Sequence, residues 1–351
     1  MLVNLPARYT ATGTVFPGGQ GDVYVYTDNS LQRMVAVKVL RDVADQDALR
    51  AELRALSAIQ SKHVVQPFDL VEDTVSGRLA LIQEYVPGND LDGYVAPDLQ
   101  TYLKVLFQIA SALADVHAAG LIHRDIKPRN MKFDDEWIVK VFDLTLTCDI
   151  DDAETTAFRG TNYYRGPEMF AAAPVILTPA VDVYAFGVTA WKVSRGDLPW
   201  QLRAMPTAAR PDSFGTHALN IPTDVANALD ECLEPDPSKR PSARSLRDLF
   251  KKHILFGRHV GQLVHQGRTA ELTTAQPTVR VNAGPIESVT IKYDGLDFLI
   301  SNFAGDVSVN GIAATINGVL PGSCVITIGA DSLGSARQHL TFDVSHPEVV
   351  I

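Results

Sequence analysis

Two short stretches hold side chains suited to chemistry. The first reads His123-Arg124-Asp125-Ile126-Lys127-Pro128-Arg129-Asn130, and the second Phe142-Asp143-Leu144-Thr145. Two acids, an amide and a lysine at this spacing suit phosphoryl transfer, where positioning and charge neutralisation supply most of the catalysis. Asp125 is the candidate to accept or orient a substrate hydroxyl proton. Lys127 would stand beside the transferred phosphate as a compact positive charge. Asn130 and Asp143 offer the hard oxygen ligands that Mg²⁺ prefers, with Mn²⁺ as a substitute. The competing reading makes these residues ordinary turn and cap formers, and only their surroundings decide between the two.

Those surroundings begin with strands. Val23 to Tyr26 and Met34 to Leu40 are β-branched or aromatic runs separated by the polar turn Thr27-Asp28-Asn29-Ser30. A helix starting near Asp45 places Leu49, Glu52, Leu53 and Leu56 on one face. Val64 to Val71 and Leu79 to Val86 read as further strands, and Pro87-Gly88-Asn89-Asp90 as a hinge. From about residue 98 the period is helical: Leu103, Leu106, Ile109, Ala110, Leu113 and Val116 form one buried face, closed by Gly120. Val181 to Val193 is apolar nearly all round, which predicts a buried helix. Helices are also predicted over 225–233 and 243–250.

After about residue 257 the character changes. Residues 258–278 are mostly polar without a strong period and read as a linker. Beyond them lie short strands at 289–293, 298–300, 307–309, 324–328 and 340–344. Turn pairs such as Asn310-Gly311 and Asn317-Gly318 separate several of them, the pattern of a small β-sandwich.

In their order and spacing, these motifs resemble the eukaryotic-like (Hanks-type) serine/threonine protein kinase family of bacteria. The resemblance covers residues 8–257. It implies an α+β, bilobal kinase fold with a small β-rich lobe at about 8–86 and a larger, mainly helical lobe at about 89–257. The all-β sandwich at 279–351 would follow, forkhead-associated-like or immunoglobulin-like, for docking or oligomerisation. Gly18, Gly19 and Gly21 match the phosphate-covering loop, followed by Val23. Val35-Ala36-Val37-Lys38 matches the strand whose lysine binds phosphate, with Glu52 as its ion-pair partner. Gln83 takes the position at the back of the adenine slot; Val23 and Ala36 line it, and the backbones of Glu84 and Val86 would bind the base. Gly160 to Glu168 resembles the end of an activation segment, and Arg240 the arginine that pairs with Glu168. Asp182 and Gly187 match the buried central helix. Lys127 and Thr161 resemble the serine/threonine branch, and Thr155 or Thr156 are the implied autophosphorylation sites. ATP and Mg²⁺ are the implied cofactors.

Three positions depart from the family pattern. Phe16 replaces the first loop glycine, Thr145 the glycine after Asp143-Leu144, and Lys132 an apolar residue beneath adenine. Threonine restricts torsions that glycine allows, and the Lys132 stem would serve as the floor while its amine reaches solvent. A rival reading is therefore a pseudokinase, a nucleotide-binding scaffold without catalysis. Retention of Asp125 favours the enzyme, because a scaffold needs no proton acceptor. A small-molecule kinase on the same fold is disfavoured by the Gly160–Glu168 segment and Arg240.

The net charge of −10 lacks the basic footprint of a nucleic-acid binder. Cys148, Cys232 and Cys324 lie far apart, as expected of thiols in a reducing compartment. His63, His117 and the other histidines show no metal-ligand spacing. Met1 to Thr14 has no signal-peptide pattern, and no stretch approaches the roughly 20 apolar residues of a membrane span. A cytoplasmic protein without a membrane span is the expectation, acting on protein substrates and on itself.

Overall fold

The computed structural model describes residues 4–18, 21–41, 46–73, 75–150, 154–155, 162–170, 174–204, 211–216 and 218–345. The chain divides into two compact units between Phe250 and Lys251.

The first unit opens with five antiparallel strands, β1 (Tyr9–Pro17), β2 (Gly21–Asp28), β3 (Arg33–Leu40), β4 (Pro67–Glu72) and β5 (Leu79–Glu84), in the order β1-β2-β3-β5-β4. Tyr24, Tyr26, Val35, Val37, Val39, Ala80 and Ile82 pack as the core on one face. The period of two therefore sends Ala36 and Lys38 to the opposite face. Between β3 and β4 runs helix α1 (Gln46–Ala58), which buries Leu49, Glu52, Ala55 and Leu56. Strand β4 starts later than the apolar run from Val64 suggests. Val64 instead bridges in parallel to Val141, and the Val65 N–H donates to the Val141 carbonyl at 3.0 Å. These buried valines serve the second lobe rather than the sheet.

That lobe is built on α2 (Leu99–Ala118), whose N-terminus is capped by the Asp98 side chain accepting from the Thr101 N–H. Four short strands follow: β6 (Leu121–Ile122), β7 (Met131–Phe133), β8 (Val139–Val141) and β9 (Cys148–Asp149). β7 pairs with β8 and β6 with β9, so the two chemistry-bearing stretches are the connections β6–β7 and β8–β9 that run between the two strand pairs. β10 (Glu154–Thr155) pairs with β11 (Val175–Ile176). Helix α3 (Ala180–Arg195) is buried nearly all round, including Asp182, and ends on Gly196 at φ 78°. Helices α4 (Trp200–Arg203), α5 (Thr223–Cys232) and α6 (Ala243–Ile254) complete the set. Gly187 lets α3 approach α5 closely: a Cβ there would lie 2.8 Å from Cys232 Cβ.

The second unit is all β. Strands β12 (Val260–His265), β13 (Arg268–Leu272), β14 (Thr278–Asn282), β15 (Ser288–Tyr293), β16 (Phe298–Ala304), β17 (Val307–Val309), β18 (Ile312–Ala313), β19 (Ser323–Ile328) and β20 (Gln338–Ser345) form two sheets. One is six-stranded, β13-β12-β20-β19-β17-β18; the other is three-stranded, β14-β15-β16. Leu263, Val289, Ile291, Phe298, Ile326, Leu340 and Phe342 from both sheets share one core, a sandwich. The 258–278 segment is therefore no linker, because it supplies β12 and β13. Only Gly261, Leu263 and Leu272 of these strands are fully buried, and such sparse apolar residues give no visible period. Pairing with the distant β20, as in Leu263 opposite Phe342, makes the segment a strand.

Candidate active site

Two elements of the small lobe bring a lysine and a glutamate together. Lys38 leaves β3 on the face away from the core, and Glu52 sits on the buried stripe of α1, only 1% exposed. Lys38 Nζ donates to Glu52 Oε1 and Oε2, both at 2.8 Å, and to Asp143 Oδ1 at 2.6 Å. It also donates to Thr145 Oγ1 at 2.5 Å. Burial alone would lower the Lys38 ammonium, yet the Glu52 and Asp143 carboxylates raise it to about 12. Burial would likewise raise the Asp143 carboxyl, but the Lys38 ammonium and the Thr145 hydroxyl hold it well below the carboxylate range. Lys38 and Asp143 are thus both charged at neutral pH, each holding the other in that state.

The large lobe supplies the other half. Asp182 of α3, fully buried, accepts the backbone N–H of His123 and of Arg124, each at 2.8 Å. His117 Nε2 donates to the same carboxylate at 2.9 Å. These bonds pin the loop before Asp125. Arg124 and Asp143 both occupy the left-handed region, at φ 69° and 67°. Such conformations persist only where the surroundings over-determine them. Asp125 is nearly buried; its Oδ2 accepts from Lys127 Nζ at 2.7 Å and from Asn130 Nδ2 at 2.9 Å. Asn130 Nδ2 also donates to the Asp125 carbonyl at 2.9 Å. The Asn130 amide nitrogen is thereby committed, which leaves Oδ1 as its oxygen for a hard cation.

A cavity of about 750 Å³ lies between the lobes, and Gly18, Gly21, Val23, Ala36, Lys38, Glu84, Val86, Asp125, Lys127, Asn130 and Asp143 all line it. Glu52 does not; it stands behind Lys38. Gly19 falls outside the described residues. Gly18 N–H donates to the Gly21 carbonyl at 2.8 Å, which closes the loop turn. A Cβ at Gly21 would stand 2.3 Å from the Val39 carbonyl oxygen, so glycine is required there. The Glu84 N–H is spent on the Gln66 carbonyl at 2.8 Å, so its contact to a base must run through its own carbonyl. Gln83, 6% exposed, closes the back of the cavity with Oε1 unpartnered among the described residues. Among those residues no cluster of three or more His, Cys, Asp or Glu forms a closed metal cage. Asn130 and Asp143 fit Mg²⁺ in the manner usual for that ion, as one or two protein oxygens completed by phosphate and water.

Residues 9–250 match the protein kinase domain. The chain belongs to the protein kinase family. It is 33% identical over 257 residues to the serine/threonine-protein kinase PknA of Mycobacterium tuberculosis, covering 69% of this chain and 59% of that protein. To PrkC of Bacillus subtilis it is 27% identical over 254 residues, 67% of this chain and 39% of the relative. A probable serine/threonine-protein kinase of Dictyostelium discoideum is 29% identical over 230 residues, 62% of this chain and 24% of the relative. The match thus spans less than two thirds of each of these relatives.

Within this protein kinase domain, the three departures from the family pattern are structurally linked to the site. Lys132 does not send its amine to solvent: Nζ donates to the Val86 carbonyl at 3.2 Å and stands 5.0 Å from the centroid of the Phe16 ring. Phe16 and Lys132 thus meet across the cavity by a cation–π contact. Burial lowers the Lys132 pKa, opposed by Asp90. Thr145 does more than restrict torsion, since its hydroxyl lies 2.7 Å from Asp143 Oδ1 and 3.0 Å from Glu52 Oε2. The Lys132–Val86 and Thr145–Glu52 links are not visible as motifs, because each joins residues far apart in sequence. The role of His117 was equally hidden, its partner Asp182 being 65 residues away.

Farther along, Arg240 grips Glu168 through two bonds at 2.6 and 2.7 Å, with its side chain fully buried. Thr155 lies opposite Val175 in the β10–β11 pair. Thr156, Gly160 and Thr161 fall outside the described residues. No helix among the described residues is long and apolar enough to cross a membrane.

Proposed function

We propose that this chain transfers the γ-phosphoryl group of ATP to serine and threonine hydroxyls of proteins, itself included. The observation that carries this reading is the convergence on one cavity of Lys38, Asp143, Asn130, Lys127 and Asp125, with Glu52 fixing Lys38 from behind. Lys38 would bind phosphate oxygens while Glu52 holds its ammonium in place. Asp125 Oδ2, oriented by Lys127 and Asn130, would take the substrate hydroxyl proton. The hydroxyl oxygen would attack the γ-phosphorus as the bond to the β-phosphate oxygen breaks, leaving ADP. Lys127 would offset charge on the transferred group. Mg²⁺, with Asn130 Oδ1 and Asp143 as protein ligands, supplies charge neutralisation when bound.

Thr155 and Thr156 are our candidates for autophosphorylation, and the β-sandwich for docking or self-association. A cytoplasmic location is part of the same proposal. The test is phosphate transfer from labelled ATP with Mg²⁺, to the protein itself and to a basic test protein, with sites mapped. Asp125→Asn should lower the rate by about 10²–10⁴-fold. The second reading, a nucleotide-binding scaffold, draws on the Lys132 ammonium lying on the Val86 carbonyl beneath Phe16, where a base would enter. That reading takes over if wild type binds ATP yet incorporates no more label than the variant.

A further inference from the structure

We propose that Thr145 is a positioning residue: its hydroxyl, standing where the family has glycine, joins Lys38, Glu52 and Asp143 into one hydrogen-bonded unit. This rests on the phosphoryl-transfer reading for what Lys38 and Asp143 serve, but its geometry stands apart from it. A hydroxyl accepts and donates at once. Thr145 Oγ1 accepts from Lys38 Nζ at 2.5 Å, and its single proton goes to Asp143 Oδ1 at 2.7 Å or to Glu52 Oε2 at 3.0 Å. Either choice ties a carboxylate.

The consequence is a link between α1 and the 143–145 segment that does not run through Lys38. Glu52 Oε1 accepts the Leu144 N–H at 3.2 Å while Glu52 Oε2 faces the Thr145 hydroxyl. One carboxylate on α1 thus holds the backbone of the segment that carries Asp143, and its second oxygen shares the Thr145 hydroxyl with Asp143 Oδ1. Asp143 itself sits at φ 67°, and the Thr145 contact to its Oδ1 is one of the restraints that keep it there. Glycine at 145 would remove that restraint and widen the torsions open to the segment. These bonds hold the Asp143 carboxylate toward Lys38.

The variants separate hydroxyl from shape. Thr145→Ser keeps the hydroxyl, Thr145→Val keeps β-branching without it, and Thr145→Gly loses both. Each full-length protein is titrated calorimetrically with a non-hydrolysable ATP analogue, with and without Mg²⁺. Amide exchange over 143–146 is followed in parallel without nucleotide. Serine should match wild type within about twofold. Valine and glycine should reduce the Mg²⁺-dependent gain in affinity by about 10- to 100-fold, the effect of losing a hydrogen bond to charged groups, and speed exchange. The proposal is overturned if valine matches wild type in both measurements, or if serine behaves like valine. Transfer assays on wild type are run alongside. Binding without transfer would sink the phosphotransfer reading and leave the calorimetric and exchange results to decide Thr145.

Discussion

Charge compensation at single residues decides the site. Glu52 is 1% exposed and Lys38 7%, so each would carry a large desolvation cost without the other. Lys38→Met leaves Glu52 buried with its main counter-charge gone, and should lower stability by roughly 3–5 kcal/mol. Urea unfolding of wild type and variant checks the figure, and an unchanged midpoint would refute the coupling. Glu52 was legible in sequence through the family resemblance, as the partner of Lys38 on the helix face it shares with Leu49 and Leu56. Thr145 was legible only as a missing glycine. What its hydroxyl touches depends on where Lys38, 107 residues earlier, is brought by the sheet.

Elements position these residues through a few cross-links. His63, between α1 and β4, is buried; its Nδ1 donates to the Val139 carbonyl at 3.2 Å and its carbonyl accepts the Val141 N–H at 2.8 Å. The connection of the small lobe is thereby fastened to β8. Burial pushes the His63 pKa down from 6.5 to about 4, so the folded protein holds the ring neutral where the unfolded chain would protonate it. The sign follows: this contribution is intact above pH 6.5 and is lost as pH falls from 6.5 toward about 4. His63→Asn should flatten the fall in urea midpoint across that window relative to wild type. Equal slopes in the two proteins would exclude His63 as its source. Asp182 acts the same way for α3, presenting one carboxylate to two backbone amides and His117.

For the whole molecule, each unit has its own core. In the sandwich, Gly261 faces the rings of Phe298 and Phe342, and a Cβ there would lie 2.6 and 2.9 Å from them. Gly261→Val should destabilise that unit by about 1–3 kcal/mol through overpacking and leave nucleotide affinity in the first unit unchanged. Calorimetric melting with and without an ATP analogue reads both effects, and a matched loss of affinity would mean the units are energetically coupled.

Sequence alone was enough for the kinase resemblance, the lobe order, the helix faces and the residues facing the cavity. Local periodicity encodes the helix faces, whereas the lobe order and the cavity residues were what the family resemblance of the motifs implied. It was not enough for the strands hidden in 258–278, the true start of β4, the Lys132–Val86 contact, the His117–Asp182 bond or the Thr145 network. Each of those joins segments distant along the chain, and short polar or sparsely apolar stretches carry no period of their own. Tertiary structure decided them, because a hydrogen bond or a strand pairing takes its energy from the partner that folding brings alongside.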